Sequence, residues 1–229
     1  MRRALDTASL MAGWLGKWKR VQVGSGTVKV NLGSGLKVAS GWIHLDGSLN
    51  AFLARLPSWL LRRLYRFSEA RNRMPEAEYV AILRNHRFVH HNLEYGLPFE
   101  SEVVDFIFSS HLLEHLYPDV AERLLSEAFR VLKKGGRLRV CVPDLEHVLS
   151  LYRKGEKEEA LGFLFMPASS PYYNRHRYMY DFQLLEEKLR GAGFADIERC
   201  AFRVGKTPDV EALDVKPEQT LFVESVKDS

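Results

Sequence analysis

Short apolar runs alternate with turns and with longer amphipathic stretches along most of the chain. Five runs have the length and residue types of buried strands, at 28–32, 42–45, 88–91, 103–108 and 138–142. Helical patterns or turn signals separate these runs, which is typical of parallel strands joined by crossovers. The pattern therefore predicts an α/β fold, Rossmann-like, with a mainly parallel sheet and helices on both faces.

The second half of the chain completes this sheet. Residues 119–133 repeat apolar positions at helical spacing, and Gly135 and Gly136 supply a stop signal. A further helix is predicted over 182–191, with Asp181 as its N-cap. Two more strands are predicted at 195–204 and 220–226, which brings the sheet to seven strands with the last strand antiparallel.

Residues 49–87 form a helical insertion after the second strand. Its apolar side chains recur at helical spacing, while arginines gather on the opposite side. The apolar stripe consists of Leu56, Trp59, Leu60, Leu64 and Phe67, and the arginines are Arg55, Arg62, Arg66 and Arg73. We expect the stripe to be covered in one of three ways: as a lid on this domain, by a second subunit, or by an anionic bilayer.

Composition limits the class of protein. The chain has 229 residues, 46% of them hydrophobic, which suits one α/β domain over 27–229 with an N-terminal extension over 1–26. The two cysteines lie far apart and fit neither a disulfide framework nor a zinc-ligand pair, so we expect reduced thiols and a cytoplasmic location. We see no apolar run long enough to cross a membrane.

Charge is unevenly distributed. Residues 1–90 contain 15 Lys and Arg against 5 Asp and Glu, whereas the remainder contains 18 against 24. The basic half predicts contact with an anionic partner, either a phosphorylated substrate or an anionic membrane surface, and gives less support to nucleic-acid binding.

A glycine-rich turn follows the first predicted strand directly. Gly33 and Gly35 allow a sharp bend and close approach to a ligand, and the second strand ends in Asp46, whose carboxylate can accept ribose hydroxyls. The third glycine of a dinucleotide fingerprint is missing, Asp46 comes too early for it, and there is no phosphate-binding Gly-Lys-Ser/Thr motif. The expected cofactor is a nucleoside without a pyrophosphate.

Five motifs in order resemble the type 11 family of class I S-adenosylmethionine-dependent methyltransferases. The resemblance covers about residues 27–145 and lies in Val30-Asn-Leu-Gly-Ser-Gly35, Gly41-Trp-Ile-His-Leu-Asp46, His91-Asn-Leu-Glu-Tyr-Gly-Leu-Pro-Phe99, Asp105-Phe-Ile-Phe-Ser-Ser-His-Leu-Leu-Glu-His115 and Arg130-Val-Leu-Lys-Lys-Gly-Gly-Arg-Leu-Arg139. It implies that the cofactor is S-adenosylmethionine. It also implies a Rossmann-like seven-stranded sheet, in agreement with the hydrophobic pattern.

The resemblance implies a role for each residue of the cofactor site. Gly33, Ser34 and Gly35 would pass under the methionine part, and Asp46 would hold the ribose. The remaining cofactor residues would be Asn92 and Leu93 beside the adenine and Ser109 beside the sulfonium.

Two positions depart from the family pattern. Asn31 and Asn92 stand where acidic residues are more usual, and an asparagine can still act there as an uncharged hydrogen-bond acceptor.

Three histidines are candidates for the base that a hydroxyl acceptor would require. His111 and His115 follow the fourth strand, with Glu114 able to orient either ring, and His176 lies in the polar, tyrosine-rich segment 172–181. His111 is the first choice for facing the methyl group, His176 is the alternative base, and His115 could instead pack or cap the next helix. Asp144 and the segment 213–217 are further candidates for the rim of the pocket.

The same residues match a rival motif. His111-Leu-Leu-Glu-His115 follows the H-x-x-E-H pattern of inverted zinc proteases, which requires a helix and a third ligand. Because the five motifs outweigh this single one, we predict no metal and prefer a methyltransferase to a zinc hydrolase.

The predicted function is transfer of a methyl group from S-adenosylmethionine to a small-molecule or glycan acceptor, most simply at oxygen. The alternative from another class is a regulatory protein that binds S-adenosylmethionine without catalysis. Nucleic-acid methylation ranks third, because the Asn/Asp-Pro-Pro-Tyr/Phe motif is missing after the fourth strand, where Ser109-Ser-His-Leu112 stands instead. The sequence leaves the acceptor, the methylated atom and the oligomeric state open.

Overall fold

The computed structural model describes residues 11, 13–14, 16–165 and 175–228, apart from the side chain of residue 69. Its centre is a seven-stranded sheet in the order β3-β2-β1-β4-β5-β7-β6. The strands are β1 (Lys29–Leu32), β2 (Trp42–Asp46), β3 (Arg87–His90), β4 (Val104–Ser110), β5 (Leu132–Pro143), β6 (Ala195–Cys200) and β7 (Thr220–Val226). Strands β1 to β5 pair in parallel, and β7 runs antiparallel to both β5 and β6. The predicted fold class is confirmed.

Helices occupy most of the connections between strands. They are α1 (Leu49–Leu53), α2 (Ser58–Tyr65), α3 (Glu76–Asn85), α4 (Pro118–Val131), α5 (Leu145–Lys154), α6 (Lys157–Leu164), α7 (Phe182–Gly191) and α8 (Val210–Leu213). Short 3-10 turns lie at Glu69–Asn72, Leu93–Tyr95 and Leu113–His115. The predicted cap of α7 is confirmed, since the Asp181 carboxylate accepts a hydrogen bond from the Leu184 N–H. Within the described ranges, no helix has the length and apolar character needed to cross a membrane.

Both faces of the sheet are buried, as expected for parallel strands. Successive residues of β4 point to opposite sides, so that Ile107 joins the larger core under α4 and α7, while Phe108 joins a smaller core with Trp42 and Leu213. This packing fixes the carboxyl ends of β1, β2 and β4 beside one another.

The transition from α4 to β5 differs from the prediction. The helix ends at Val131 and β5 begins immediately, so Gly135 and Gly136 lie within the strand. Residues 133–136 lie opposite the single residue 105, three more than β4 supplies, because Val104 pairs with Leu132 whereas Phe106 pairs with Arg137. Gly135 accommodates this irregularity with a φ of 76°. The predicted strand 195–204 is also shorter and ends at Cys200.

The insertion forms a core of its own around the fully buried Leu61. The predicted apolar stripe is wrong in part: Leu56 and Leu64 pack against this core, whereas Trp59 is 61% exposed and Phe67 is 38% exposed. Helix α2 has only eight residues, so its buried face is set by contact with α3 rather than by a longer helical period. The four predicted arginines are exposed, as expected.

A buried ion cluster lies in β5 and β7. The Arg139 guanidinium donates to both carboxylate oxygens of Asp214, at 3.0 and 2.6 Å, and to the Glu224 carboxylate at 3.1 Å. All three side chains are inaccessible to solvent. Asp214 therefore does not rim a pocket, as the segment 213–217 was expected to do, and serves to neutralise Arg139.

Candidate functional site

The predicted cofactor residues meet at the carboxyl edge of the sheet. Leu32 pairs with Leu45 on one side and with Ser109 on the other, so the residues that follow these three positions emerge together. In an open parallel sheet this edge is where ligands bind. The fold thus brings the glycine turn, Asp46 and Ser109 to one crevice, as predicted.

The glycine turn requires its glycines for two different reasons. Gly33 has a φ of 64°, and a Cβ there would approach the Leu112 side chain to 2.9 Å. Gly35 has a φ of 53°, and a Cβ there would project into open space. The Gly35 backbone is therefore accessible to a ligand, which is the property a cofactor cradle requires.

Asp46 closes this turn from the neighbouring strand. Its carboxylate accepts a hydrogen bond from the Gly35 N–H at 2.7 Å and another from the Ser48 N–H at 2.6 Å. Each oxygen retains acceptor capacity for a ribose hydroxyl. Asp46 thus shapes the cradle in addition to the role predicted from the sequence.

Asn31 is buried beneath the turn. Its amide donates to the Lys37 carbonyl at 3.0 Å and lies 3.4 Å from Nδ1 of His44. Burial lowers the pKa of His44 to about 4, so this ring is neutral at pH 7 and its Nε2 donates to the Ala39 carbonyl. An aspartate could not donate to the Lys37 carbonyl, which explains why an asparagine occupies this position.

The two residues predicted to flank the adenine differ in their surroundings. Asn92 is half-buried at the start of a 3-10 turn, and its side-chain oxygen accepts the Glu94 N–H at 3.0 Å. Leu93 packs in the main core. Of the two, Asn92 has the accessible polar group, and its amide N–H₂ is left for a ligand.

Two buried hydroxyls in the crevice have no hydrogen-bond partner among the described residues. They belong to Ser34 in the glycine turn and Ser109 at the end of β4. Buried hydroxyls are normally satisfied, so these groups fit a site that receives a polar ligand. The crevice therefore suits a nucleoside cofactor with polar substituents, such as S-adenosylmethionine.

A carboxylate lies at the centre of the three predicted histidines. Glu114 is fully buried, and one of its oxygens lies 3.1 Å from Nδ1 of His111. His111 adopts a φ of 51°, its backbone N–H donates to the Cys141 carbonyl, and its Nε2 lies 3.2 Å from the Thr220 hydroxyl. The left-handed backbone of His111 is costly for a non-glycine residue and is held by these contacts.

The other two histidines lie next to each other beside the same carboxylate. The ring centroids of His115 and His176 are 5.1 Å apart, and Nε2 of His115 lies 3.8 Å from the Glu114 carboxylate. The segment 111–115 contains only a 3-10 turn, so the helix of the rival protease motif is not formed. His111 and His115 consequently do not share a helical face.

The polar segment 172–181 is described from residue 175 onward, and 172–174 lie outside the described residues. Its backbone is tied to the histidine cluster, since the Glu114 carbonyl accepts the Arg177 N–H at 2.7 Å. Thr220 and Arg177 were missed from the sequence. Thr220 lies 109 positions from His111, so no local pattern could connect them.

Asp144 is not a pocket residue in the described structure. Its carboxylate caps α5 by accepting the Glu146 N–H and forms an ion pair with Arg199 at 2.7 Å. A cavity of about 390 Å³ lies elsewhere, between residues 17–20, the loop 91–98 and α4. Of the predicted site residues it contains only Leu93, and its Arg130 and Glu127 are already paired with each other.

One family model and several solved structures are similar to this chain. Residues 63–140 match the family model described as "Methyltransferase domain", a span that holds β3 to most of β5 but not the glycine turn. No curated protein matches the chain in sequence.

Solved structures resemble the whole fold. The S-adenosylmethionine-dependent methyltransferase SibL is 18% identical, with a TM-score of 0.54, over 90% of this chain and 51% of that one. A Nostoc punctiforme protein, to which O-methyl transfer has been provisionally assigned, is 12% identical, with a TM-score of 0.51, over 97% of this chain and 57% of that one. A SAM-dependent methyltransferase of Thermotoga maritima is 19% identical, with a TM-score of 0.49, over 98% and 90% of the two chains. The first two establish the fold, and this chain spans about half their length.

Proposed function

We propose that this chain acts as a class I S-adenosylmethionine-dependent methyltransferase and methylates a hydroxyl of a small-molecule or glycan acceptor. The observation that carries the proposal is the pair formed by Glu114 and His111 at the end of β4. A hydroxyl is a weak nucleophile and must lose its proton as the methyl group arrives.

The pair has the features of an oriented general base. A carboxylate beside Nδ1 favours the tautomer that carries its proton there, which leaves Nε2 of His111 as the acceptor. The His111 side chain is partly exposed, whereas Glu114 is not, so only the histidine can meet a substrate. The Thr220 hydroxyl, next to Nε2, supports the ring and can pass a hydrogen bond to an incoming hydroxyl.

The cofactor would be held by the crevice at the carboxyl edge of β1, β2 and β4. S-adenosylmethionine supplies a methyl group on a positively charged sulfur, which becomes a neutral thioether when the methyl leaves. The Gly35 backbone would lie against the methionine part, Asp46 would accept ribose hydroxyls, and Asn92 would donate to the adenine. The acceptor oxygen would gain the methyl carbon and lose its proton to His111.

Replacing Asp46 by alanine should weaken binding of S-adenosylhomocysteine at least tenfold. The variant loses charge-assisted hydrogen bonds to the ribose, which contribute about 1.5–3 kcal/mol each at best, and also loosens the turn at Gly35. Calorimetry on the purified protein measures the affinity. Asp105→Ala is a matched control, because this carboxylate also accepts a backbone N–H, that of Val28, but at the other end of β1. Unchanged affinity in Asp46→Ala would contradict the assignment.

We also propose that the insertion forms one wall of the acceptor site. Leu36, which directly follows the glycine turn, packs into the insertion core, and α1 begins three residues after Asp46. The exposed arginines of this wall would favour an anionic acceptor, such as a phosphorylated sugar. The location that fits reduced thiols and such an acceptor is the cytoplasm.

Replacing Arg62 and Arg66 together by glutamate should raise KM for an anionic acceptor about tenfold, with kcat little changed, because charge attraction acts mainly on binding. Steady-state kinetics at low and high salt measure the change. The control is Arg153→Glu with Lys154→Glu, an equal charge change on exposed residues that follow β5 instead of β2. Salt-reversible sedimentation of the wild type with anionic vesicles, abolished by the Arg62 and Arg66 changes, would establish a membrane contact in place of this role.

The acceptor can be identified by a direct screen. Release of S-adenosylhomocysteine would be followed with pools of sugars, nucleotide sugars, lipids and metabolites. A protein that binds the cofactor tightly but transfers to none of these pools would favour the non-catalytic regulatory alternative.

A further inference from the structure

Three potential metal ligands converge beside the proposed base. One ligand atom each from Glu114, His115 and His176 lies within 4.8 Å of the other two. We propose that these three residues bind a divalent transition-metal ion, for which zinc is the natural probe. Binding of the ion is independent of the proposed function, and only its role in catalysis rests on that function.

Both histidines are held in the tautomer that a metal ligand needs. Nδ1 of His115 lies 3.2 Å from the Arg175 carbonyl, and Nδ1 of His176 lies 2.6 Å from the Phe163 carbonyl. Because a carbonyl oxygen can only accept, each Nδ1 carries the proton and each Nε2 presents its lone pair. Metal-bound histidines usually donate their second nitrogen in this way.

The Glu114 carboxylate has an oxygen to spare for an ion. One oxygen is engaged by His111, while Oε2 is buried and has no hydrogen-bond partner among the described residues. A fully buried carboxylate with a free oxygen is costly unless a cation is near. His115 presents its Nε2 lone pair 3.8 Å from Oε1, the oxygen that also contacts His111. A divalent ion between this lone pair and the carboxylate would relieve their mutual repulsion and leave Oε2 available as a ligand atom.

The ligand set indicates the class of ion. Two imidazole nitrogens and one carboxylate oxygen form the three-ligand set of catalytic zinc sites, which leave a fourth position open. Ligands about 2.0–2.1 Å from a tetrahedral zinc lie roughly 3.4 Å from one another, so a spacing of at most 4.8 Å requires closure by no more than about 1.4 Å. His115 and His176 are both partly exposed, which leaves a side of the cluster open to a further ligand. An acceptor oxygen bound there would be acidified next to His111.

This inference corrects the use of the H-x-x-E-H pattern and not the choice of enzyme class. The sequence pattern pairs His111 with His115, whereas the structure places His115 against His176, and His111 contacts Glu114 through Nδ1.

The test measures metal binding without cofactor or acceptor. Tag-free protein stripped with a chelator is titrated with zinc by calorimetry and with cobalt by its visible absorption spectrum, which reports the ligand field. The wild type should bind one ion per chain, and His115→Gln or His176→Gln should each weaken zinc binding at least a hundredfold. His86→Gln is the control, since this histidine also bonds a carbonyl through Nδ1 but lies in the insertion.

The test distinguishes failure of the metal site from failure of the proposed function. A wild type that binds no ion overturns the inference without recourse to any variant, as does wild-type affinity in both His115→Gln and His176→Gln. Circular dichroism checks that each variant is folded, and a Co²⁺ spectrum of the wild type with imidazole character supports the inference even if a variant fails to fold. One bound ion in a protein that methylates no acceptor would support the site while contradicting the function.

Discussion

Replacing Arg139 by methionine should lower the free energy of unfolding by about 3–5 kcal/mol, because it leaves Asp214 buried without a positive charge and Glu224 with only Arg137, at 3.5 Å. This loss is larger than the contribution of a surface ion pair, because all three side chains are buried and water cannot solvate the charges that remain. Urea denaturation followed by circular dichroism measures it. Arg190→Met is the matched control: Arg190 pairs with Glu186 at 2.7 Å but is largely exposed, so its loss should cost under about 1 kcal/mol.

The pH dependence of that difference provides a second measurement. Burial by itself would raise the pKa of Glu224, but the backbone N–H groups of Lys206 and Thr207 together with Arg139 hold it below its usual value. A carboxylate with a depressed pKa stabilises the fold above its unfolded pKa, and this stabilisation is lost as the pH falls through the folded value. The difference between wild type and Arg139→Met should therefore shrink in acid. An equal difference at pH 7 and pH 3 would contradict the assigned charges.

Replacing His111 by alanine should lower kcat about a hundredfold or more while affinity for S-adenosylhomocysteine stays unchanged. General-base catalysis contributes about 10²–10⁴-fold, and His111 does not form the cofactor crevice. Single-turnover kinetics with the acceptor found in the screen measure the chemical step.

The backbone of His111 calls for a second variant at this position. Alanine is strained at a φ of 51°, whereas asparagine tolerates this conformation, so His111→Asn should lose the same activity without the strain. Thr220→Val, which removes only the hydroxyl next to Nε2, should cost under about tenfold and serves as the control. Turnover at the wild-type level in both His111 variants would mean that the acceptor needs no base from this residue.

Local sequence signals predicted most of the fold correctly. Strand β7, helix α7 and its Asp181 cap depend on residues a few positions apart, and each was found within its predicted bounds. The glycine turn and Asp46 adjoin the strands that carry them, so their shared place at the edge of the sheet also follows from local signals, whereas their role in binding a cofactor stays a prediction. Errors arose where a boundary depends on a partner strand, as at Gly135, where β5 carries three residues more than β4.

The part that the sequence could not provide comes from contacts between distant segments. Arg139 is one residue in an apolar strand, and its two carboxylate partners lie 75 and 85 positions away. His176 becomes a neighbour of His115 only because the chain returns along Glu114 after α6. In the insertion, the periodicity correctly predicted an amphipathic segment. It placed Trp59 on the buried face, but this side chain is exposed, because contacts within the folded domain decide which face is buried.

Leu36 couples the insertion energetically to the cofactor site, and this coupling does not require a lid or loop to move. This side chain belongs to the insertion core, while the backbone just before it forms the glycine turn. Any ligand that orders the turn must therefore also restrict the insertion, and by linkage the two effects have the same coupling free energy. Under the proposed role of the insertion, an acceptor that tightens it would strengthen retention of the methyl donor by the same factor as the donor strengthens binding of the acceptor, so Leu36 couples the two ligands without fixing their order of binding.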